Sequence, residues 1–374
     1  MAEKELLVEM LEKFAHEVVK PIAAEIDEEE KFPVNTVKLM AKYGILGLPY
    51  PKEYGGVGAP YSSYIDAVRI LSKYCATTGV ILSAHTSLAC YPIYQYGTPE
   101  QKAKYLPKLL SGEQLGGFGL TESEAGTDAS NQRTKAYDCG DYYEITGSKI
   151  FITNSGYASV YVIFAATSPE LKLKGISAFI ITSDMPGFSV GPKEKKMGIR
   201  GSATAELLFD HIKVPKENMI GKPGEGFKIA MATLDGGRIG IAAQALGIAE
   251  GAYEKAIEYI KTRKQFGQTI ASFQNSQFVI AELKTKIEAA RLLLYKAADD
   301  KEKGLNINQS AAMAKLFCSS VAMEVANKAI QLHGGYGYIR DYEIERYLRD
   351  AKITEIYEGT SEVQKMVISA KELR

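Results

Sequence analysis

The hydrophobic period of this chain changes twice along its length, and those two changes restrict its folds more than any other property. From Glu3 to about Ser111 apolar residues recur at three- and four-residue steps, as in Leu7, Met10, Leu11, Phe14, Val18 and Val19. Near Gly116 this gives way to short runs rich in β-branched and aromatic residues. They are Tyr142-Tyr-Glu-Ile-Thr, Ala158-Ser-Val-Tyr-Val-Ile-Phe-Ala-Ala-Thr, Ile176-Ser-Ala-Phe-Ile-Ile-Thr and Ala205-Glu-Leu-Leu-Phe-Asp. Gly, Asn, Asp and Pro separate the runs and no useful helical stretch intervenes, so they predict a compact antiparallel sheet. Beyond Gly226 the helical period returns: Ile280, Leu283, Ile287, Ala290 and Leu294 form one stripe, and Met313, Phe317, Val321 and Val325 another. The pattern predicts an α+β, mostly α chain with a helical domain over 1–115, a central antiparallel β domain over 116–222 and a C-terminal four-helix-bundle-like domain over 223–374. The C-terminal helices are too long and apolar for one shell, which predicts a bundle that doubles in part as a subunit interface.

Within the first domain, Pro21 and Pro33 punctuate the chain, and Tyr43 to Gly56 is a turn-rich link. Helices are expected over Tyr61–Tyr74 and Gly79–Tyr96, and Thr98-Pro-Glu-Gln reads as a capped helix start with Gln101 completing the box. Lys plus Arg and Asp plus Glu are balanced at 45 each, so the chain has no bulk electrostatic reason to seek nucleic acid or an anionic membrane. Cys75, Cys90, Cys139 and Cys318 form no CxxC pair, which fits a reducing compartment and argues against disulfides or zinc. The four histidines are equally dispersed, so no metal centre is expected. The charged N-terminus has neither a signal-peptide core nor an Arg-rich transit pattern. The longest nearly apolar stretch, Ile239 to Ala249, is shorter than the roughly 20 residues a bilayer requires. A cytoplasmic protein is the plain expectation, and a processed organellar one would look the same.

The stretch most suited to chemistry is Ile353 to Gln364, which sets Glu358 between Tyr357 and Gly359. An aromatic wall that shuts out water raises a carboxyl pKa, which suits it to take a proton from a weak carbon acid. The plainer alternative is a turn with a solvated glutamate. No GxxxxGK[ST], strand-borne GxGxxG, GxSxG or HExxH is present, so no common nucleotide, nucleophile or zinc motif applies. Three other stretches could hold a cofactor: Phe118 to Asp128 with its hydroxyls and backbone N–H groups, Lys149 to Gly156, and Thr262 to Gln274, whose Arg263 could pair bidentately with a pyrophosphate.

In this order, the motifs Leu120-Thr-Glu-Ser-Glu-Ala-Gly-Thr-Asp, Phe151-Ile-Thr-Asn, Leu234-Asp-Gly-Gly-Arg, Thr262-Arg-Lys-Gln-Phe-Gly, Gln331-Leu-His-Gly-Gly and Ile356-Tyr-Glu-Gly-Thr-Ser-Glu make the chain resemble the acyl-CoA dehydrogenase family over essentially its whole length. Within that family it looks most like the short-chain (butyryl-CoA) branch. The resemblance implies FAD between the sheet domain and the C-terminal bundle. Phe118, Leu120, Thr121, Gly126 and Thr127 would line it, with Phe151, Ile152 and Thr153 against its ring. A neighbouring subunit would bring Arg263, Phe266 and Gln274 to the pyrophosphate and adenosine, joined by Gln331, Gly334 and Gly335; Thr360 and Glu362 would close the site. Asp235 and Arg238 match the pair that holds CoA, while Thr127, Tyr357 and Gly359 would meet the thioester ligand. Glu358 sits where the family keeps its base, which removes the α-proton as the β-hydrogen leaves as hydride to flavin N5, forming trans-2-enoyl-CoA. An electron-transferring flavoprotein is the implied acceptor and a homo-oligomer, usually a tetramer, the implied assembly.

The chain departs from the family pattern in places. Phe151 stands where tryptophan is frequent, Thr127 where serine is common, and Gly237 where some branches carry the base. Ser83 to Tyr96 and Ile229 to Leu234 are expected to floor a pocket for butyryl, with neighbouring short and branched acyl groups open. Direction is also open: a crotonyl- or acryloyl-CoA reductase would have the same pattern. An oxygen-discharging oxidase is disfavoured by chain length, and a catalytically silent acyl-CoA-binding homologue by retention of Glu358, Arg238 and Arg263.

Overall fold

The structure, a computed structural model, describes residues 2–373. The chain begins with α1 (Ala2–Phe14), α2 (Ala23–Glu28), α3 (Val34–Lys42) and α4 (Tyr61–Tyr74). It continues with α5 (Ala76–Ser83), α6 (Tyr91–Tyr96) and α7 (Pro99–Leu110). The single helix expected over Gly79–Tyr96 is α5 and α6 joined by a π-helical turn, Ala84–Cys90. Pro92 has no N–H to return to the carbonyl one α-turn back, and the chain takes the wider turn just before it.

At α7 the expected capping box is present: Thr98 accepts from the Gln101 N–H at 3.2 Å, and the Gln101 side chain accepts from the Thr98 N–H at 3.0 Å. Gln101 also donates to the Glu217 and Met219 carbonyls at 2.6 and 2.7 Å, so one amide both starts a helix and ties it to the sheet. Thr98→Ala is expected to cost about 1 kcal/mol and Gln101→Ala about 2 kcal/mol, because the latter strands buried acceptors. Chemical denaturation would read the difference, and equal losses would contradict the tying role.

The central domain holds β1 (Gly116–Gly119), β2 (Lys135–Asp138), β3 (Tyr142–Thr153), β4 (Val160–Ala166), β5 (Ile176–Thr182), β6 (Phe188–Lys193), β7 (Thr204–Pro215) and β8 (Met219–Ile220). Their order is β6-β7-β3-β2-β4-β5-β8, with β1 added on β4. The sheet is mostly antiparallel, as expected. It also contains two parallel pairings: β4 carries β5 along one edge and, along the other, β1 and then the start of β2, both running parallel to it. The chain passes through β2 and β3 between β1 and β4, a crossing long enough to allow parallel pairing. β4 is buried at every residue and reads as an uninterrupted apolar run for that reason.

The C-terminal domain comprises α8 (Gly226–Thr262), the small hairpin β9 (Lys264–Gln265) and β10 (Gln268–Thr269), α9 (Gln274–Glu302), α10 (Asn308–His333), α11 (Ile344–Thr354) and α12 (Ser361–Glu372). From Gly236 to Ala252 α8 is buried on all sides, which makes it the axis of the molecule. Its Glu250 pairs with Arg69 of α4 and Arg291 of α9, each at 2.8 Å. Farther along, Arg349 pairs with Asp27 at 2.6 Å, and Asp350 accepts from the Ile199 N–H at 2.6 Å. All three domains are thereby tied to α8 and α11.

Candidate active site

Five segments meet around a cavity of about 220 Å³. The end of β1 and the turn after it contribute Phe118, Leu120, Thr121, Gly126 and Thr127. The end of β3 contributes Phe151, Ile152 and Thr153. A register shift between Lys149 and Ile152 lifts Phe151 out of the ladder into left-handed conformation (φ 59°), with 61% of the residue exposed. Shifts of this kind re-aim a side chain beside a functional site. The helices supply the apolar side: Ala84 and Leu88 from the π-helical turn, and Met231 and Leu234 from α8, as expected for the pocket floor. Arg238 lines the cavity one turn farther along, and the turn between α11 and α12 closes it with Tyr357, Glu358 and Gly359.

Glu358 is held by its backbone and by its surroundings. It has φ 53° and Gly359 has φ 92°, two successive left-handed residues of which only the second lacks a Cβ. Such a conformation in a glutamate persists only where neighbours over-determine it. Gln364 donates to the Gly359 carbonyl at 2.8 Å, and the Lys315 ammonium donates to the same oxygen at 2.7 Å. Tyr357 donates to Gln244, whose amide in turn donates to the Ala76 carbonyl at 3.0 Å. No acceptor among the described residues takes the Glu358 N–H.

The Glu358 Oε2 is buried without a hydrogen-bond partner among the described residues. Burial pushes this carboxyl up to about 8, against the pull of the Lys315 and Arg238 cations. Space for it comes from Gly237: a Cβ there would lie 2.1 Å from Oε2 and 2.8 Å from Leu88 Cδ2. Position 237 is therefore a site that Glu358 already fills. Arg238 is fixed by Asp235 at 2.6 Å, and Asn308 donates to the same carboxylate at 3.2 Å. Asp235 itself does not line the cavity; its place is behind Arg238.

The turn after β1 rests on a buried ion pair. Lys149 Nζ meets Glu122 at 2.6 Å, Gln132 at 3.0 Å and the Leu120 carbonyl at 3.3 Å. Glu122 also accepts the Arg133 and Thr134 N–H groups at 2.5 and 3.2 Å. Burial opposes its charge, but Lys149 and these N–H groups hold its carboxyl below the ordinary value.

The remaining expected residues lie elsewhere. Arg263 stacks over Tyr336 at 5.2 Å, and Phe266 is 93% exposed at the hairpin turn. Gln274 opens α9, Gln331 lies in the last turn of α10, and Gly334 and Gly335 follow it with open space beside them. None of these lines the cavity. Thr360 caps α12 through the Val363 N–H and, with Glu362, lines a separate depression between α10, α11 and α12. Lys315, Gln364, Gln244 and the Glu122–Lys149 pair carried no role in the sequence reading. Lys315 had a signal: a cation between Ala311, Ala314 and Cys318 on the buried face of α10.

Helical domain, sheet domain and helical bundle close together on the unpartnered Glu358 carboxylate. Profiles described as acyl-CoA dehydrogenase N-terminal, middle and C-terminal domains match residues 1–113, 117–212 and 224–373. The chain belongs to the acyl-CoA dehydrogenase family. Within it the similarity points to short-chain members. The chain is 59% identical to "Acyl-CoA dehydrogenase, short-chain specific" of Clostridium acetobutylicum, covering 100% of this chain and 98% of that protein. It is 48% identical to "Acryloyl-CoA reductase (NADH)" of Anaerotignum propionicum, covering 100% and 95%. Among solved structures, butyryl-CoA dehydrogenase from Megasphaera elsdenii superposes with TM-score 0.98 at 48% identity, covering 99% of this chain and 98% of that one. A chain in the structure of the electron transferring flavoprotein of Acidaminococcus fermentans gives 0.99 at 52% identity, covering 100% and 98%.

Proposed function

We propose that this chain oxidises short-chain acyl-CoA thioesters, butyryl-CoA foremost, to trans-2-enoyl-CoA, with Glu358 as the base. The observation that carries the reading is the Glu358 carboxylate, buried and unpartnered in a cavity floored by Leu88, Met231 and Leu234. A cleft lined mainly by apolar groups with a few convergent polar ones is the usual form of a small-molecule site.

The residues fit a flavin. Phe151 presents an open ring, Gly126 has nothing within 4 Å of where a Cβ would stand, and the hydroxyls of Thr121, Thr127 and Thr153 make no hydrogen bond to the described residues. FAD held there by Phe118, Leu120, Thr121, Gly126, Thr127, Phe151, Ile152 and Thr153 supplies a two-electron acceptor for the substrate's β-hydrogen and its electron pair. Glu358 takes the α-proton, and the double bond forms between the two carbons. The free Glu358 N–H is available to the thioester oxygen as charge develops there, where a preorganised donor is worth most. Arg238, braced by Asp235, sits where it can meet the polar part of the CoA arm.

Phe266, Tyr338 and Phe278 are large apolar side chains open to solvent, and Arg263 lies over Tyr336 at 5.2 Å. A second copy covering them would bring Arg263, Phe266, Gln274, Gln331, Gly334 and Gly335 to the far end of the neighbour's cofactor, with Thr360 and Glu362 near it. A homotetramer discharging to an electron-transferring flavoprotein follows from this reading. The identity to an acryloyl-CoA reductase supports a second reading, the same chemistry run toward saturated thioester.

The test is turnover of a propionyl- to dodecanoyl-CoA series with a dye acceptor, and of crotonyl- and acryloyl-CoA with reduced flavoprotein. The proposal expects yellow protein and a maximum at butyryl-CoA. Colourless protein inactive on every thioester would refute it, and faster enoyl reduction than acyl oxidation would select the second reading.

A further inference from the structure

Lys315 is fully buried, yet among the described residues its ammonium has one acceptor, the Gly359 carbonyl at 2.7 Å. Lysine is almost never buried without a charge partner, since the cost of desolvating an ammonium is high. Clamping Gly359 does not explain that cost. Gln364, also fully buried, already donates to the same oxygen at 2.8 Å and carries no charge. A neutral donor would therefore suffice at position 315 if holding the turn were the whole task. What only the lysine adds is a positive charge behind the residue that bears the Glu358 carboxylate.

We propose that Lys315 is a positioning residue for Glu358, whose buried ammonium fixes the Gly359 carbonyl and keeps the neighbouring carboxylate ionised enough to act. This rests on the reading of Glu358 as base. The groups facing Glu358 are Lys315 from α10, Arg238 from α8, Tyr61 and Tyr64 from α4, and the adjacent Tyr357. Of these only Lys315 and Arg238 are cationic, and Arg238 is committed to Asp235. Facing Lys315 are Glu358, Arg238, Glu355 and Glu362. Burial lowers the lysine to about 8 while Glu358 pulls it back up, so the two groups stabilise each other's charge. Removing the ammonium leaves burial less opposed, and Glu358 must then hold its proton to higher pH.

The experiment compares flavin-loaded wild type with Lys315→Met and Lys315→Gln, the second of which retains a donor for Gly359. Two quantities are followed against pH: kcat/KM for butyryl-CoA, and the infrared band of the protonated Glu358 carboxyl, assigned by its loss in Glu358→Gln. Both midpoints are expected to rise by about one pH unit or more in both variants, about a tenfold loss of rate below the acid limb that shrinks as pH rises. A rate that falls equally at every pH, with both midpoints unmoved, would reduce Lys315 to a structural clamp and overturn the proposal. If Glu358→Gln keeps its turnover, the base reading has failed, and the infrared midpoint alone decides whether Lys315 sets that carboxyl's acidity.

Discussion

Glu358→Gln is expected to yield a folded, yellow protein whose turnover of butyryl-CoA is lower by about a hundredfold to ten-thousandfold, the range one positioned base contributes. Glutamine matches the carboxylate in shape but cannot accept the α-proton, and no second carboxylate among the described residues lines the cavity. A variant retaining about a tenth or more of the wild-type kcat would remove Glu358 from that role. Stability should move the other way. Burial raises the Glu358 carboxyl above its unfolded value, so its contribution to stability is present below about pH 4.5 and is lost as pH rises through about 8. A neutral amide escapes that loss, and the variant's unfolding temperature should exceed the wild type's most clearly on the alkaline side.

Gly237→Ala is expected to produce a second large loss with the same dissociation of activity from stability. The new Cβ would stand 2.1 Å from Oε2 and 3.0 Å from Cδ of Glu358, and 2.8 Å from Leu88 Cδ2, so the carboxyl must move and the Leu88 side chain must give, while the helix need not. A displacement of about 1 Å at a reacting group costs about a hundredfold in rate. Alanine in place of glycine inside a helix otherwise favours the fold by up to about 1 kcal/mol. The expected result is therefore a stable, flavin-bound protein with kcat lower by about two orders of magnitude, read from steady-state rates beside a thermal melt. Wild-type kcat in Gly237→Ala would mean that the carboxylate does not need the position it occupies.

Much of the architecture was legible because burial imposes a period on each element. Leu283, Ile287, Ala290 and Leu294 face the core of α9 as their spacing required, and β4 and β5 stand where unbroken apolar runs predicted strands. β6 was not legible: Phe188 to Lys193 is an edge strand with a glycine and a proline inside it, a composition that mimics a turn. The π-helical turn at Ala84–Cys90 has no sequence period of its own, since it is one wider winding inside an otherwise helical stretch. On α10 the stripe Met313, Phe317, Val321 and Val325 is only partly the buried one; Ala311, Ala314, Cys318 and Ala322 sit deeper, because small residues let α8 and α10 approach. Of the site, the segments around Glu358, Thr127 and Phe151 were readable as motifs, and they converge. The supports behind them were not, because Lys315 and Gln244 act across helices distant in sequence.

Phe151 stands open at the rim of a chain that has 23 tyrosines and no tryptophan. The chain's intrinsic ultraviolet emission therefore comes mainly from phenols and has no indole component. An indole introduced at that one position would be the sole emitter of its kind, placed at the cavity by a backbone conformation the protein already adopts. The molecule is built, in effect, as a blank optical background against which a single dye can report.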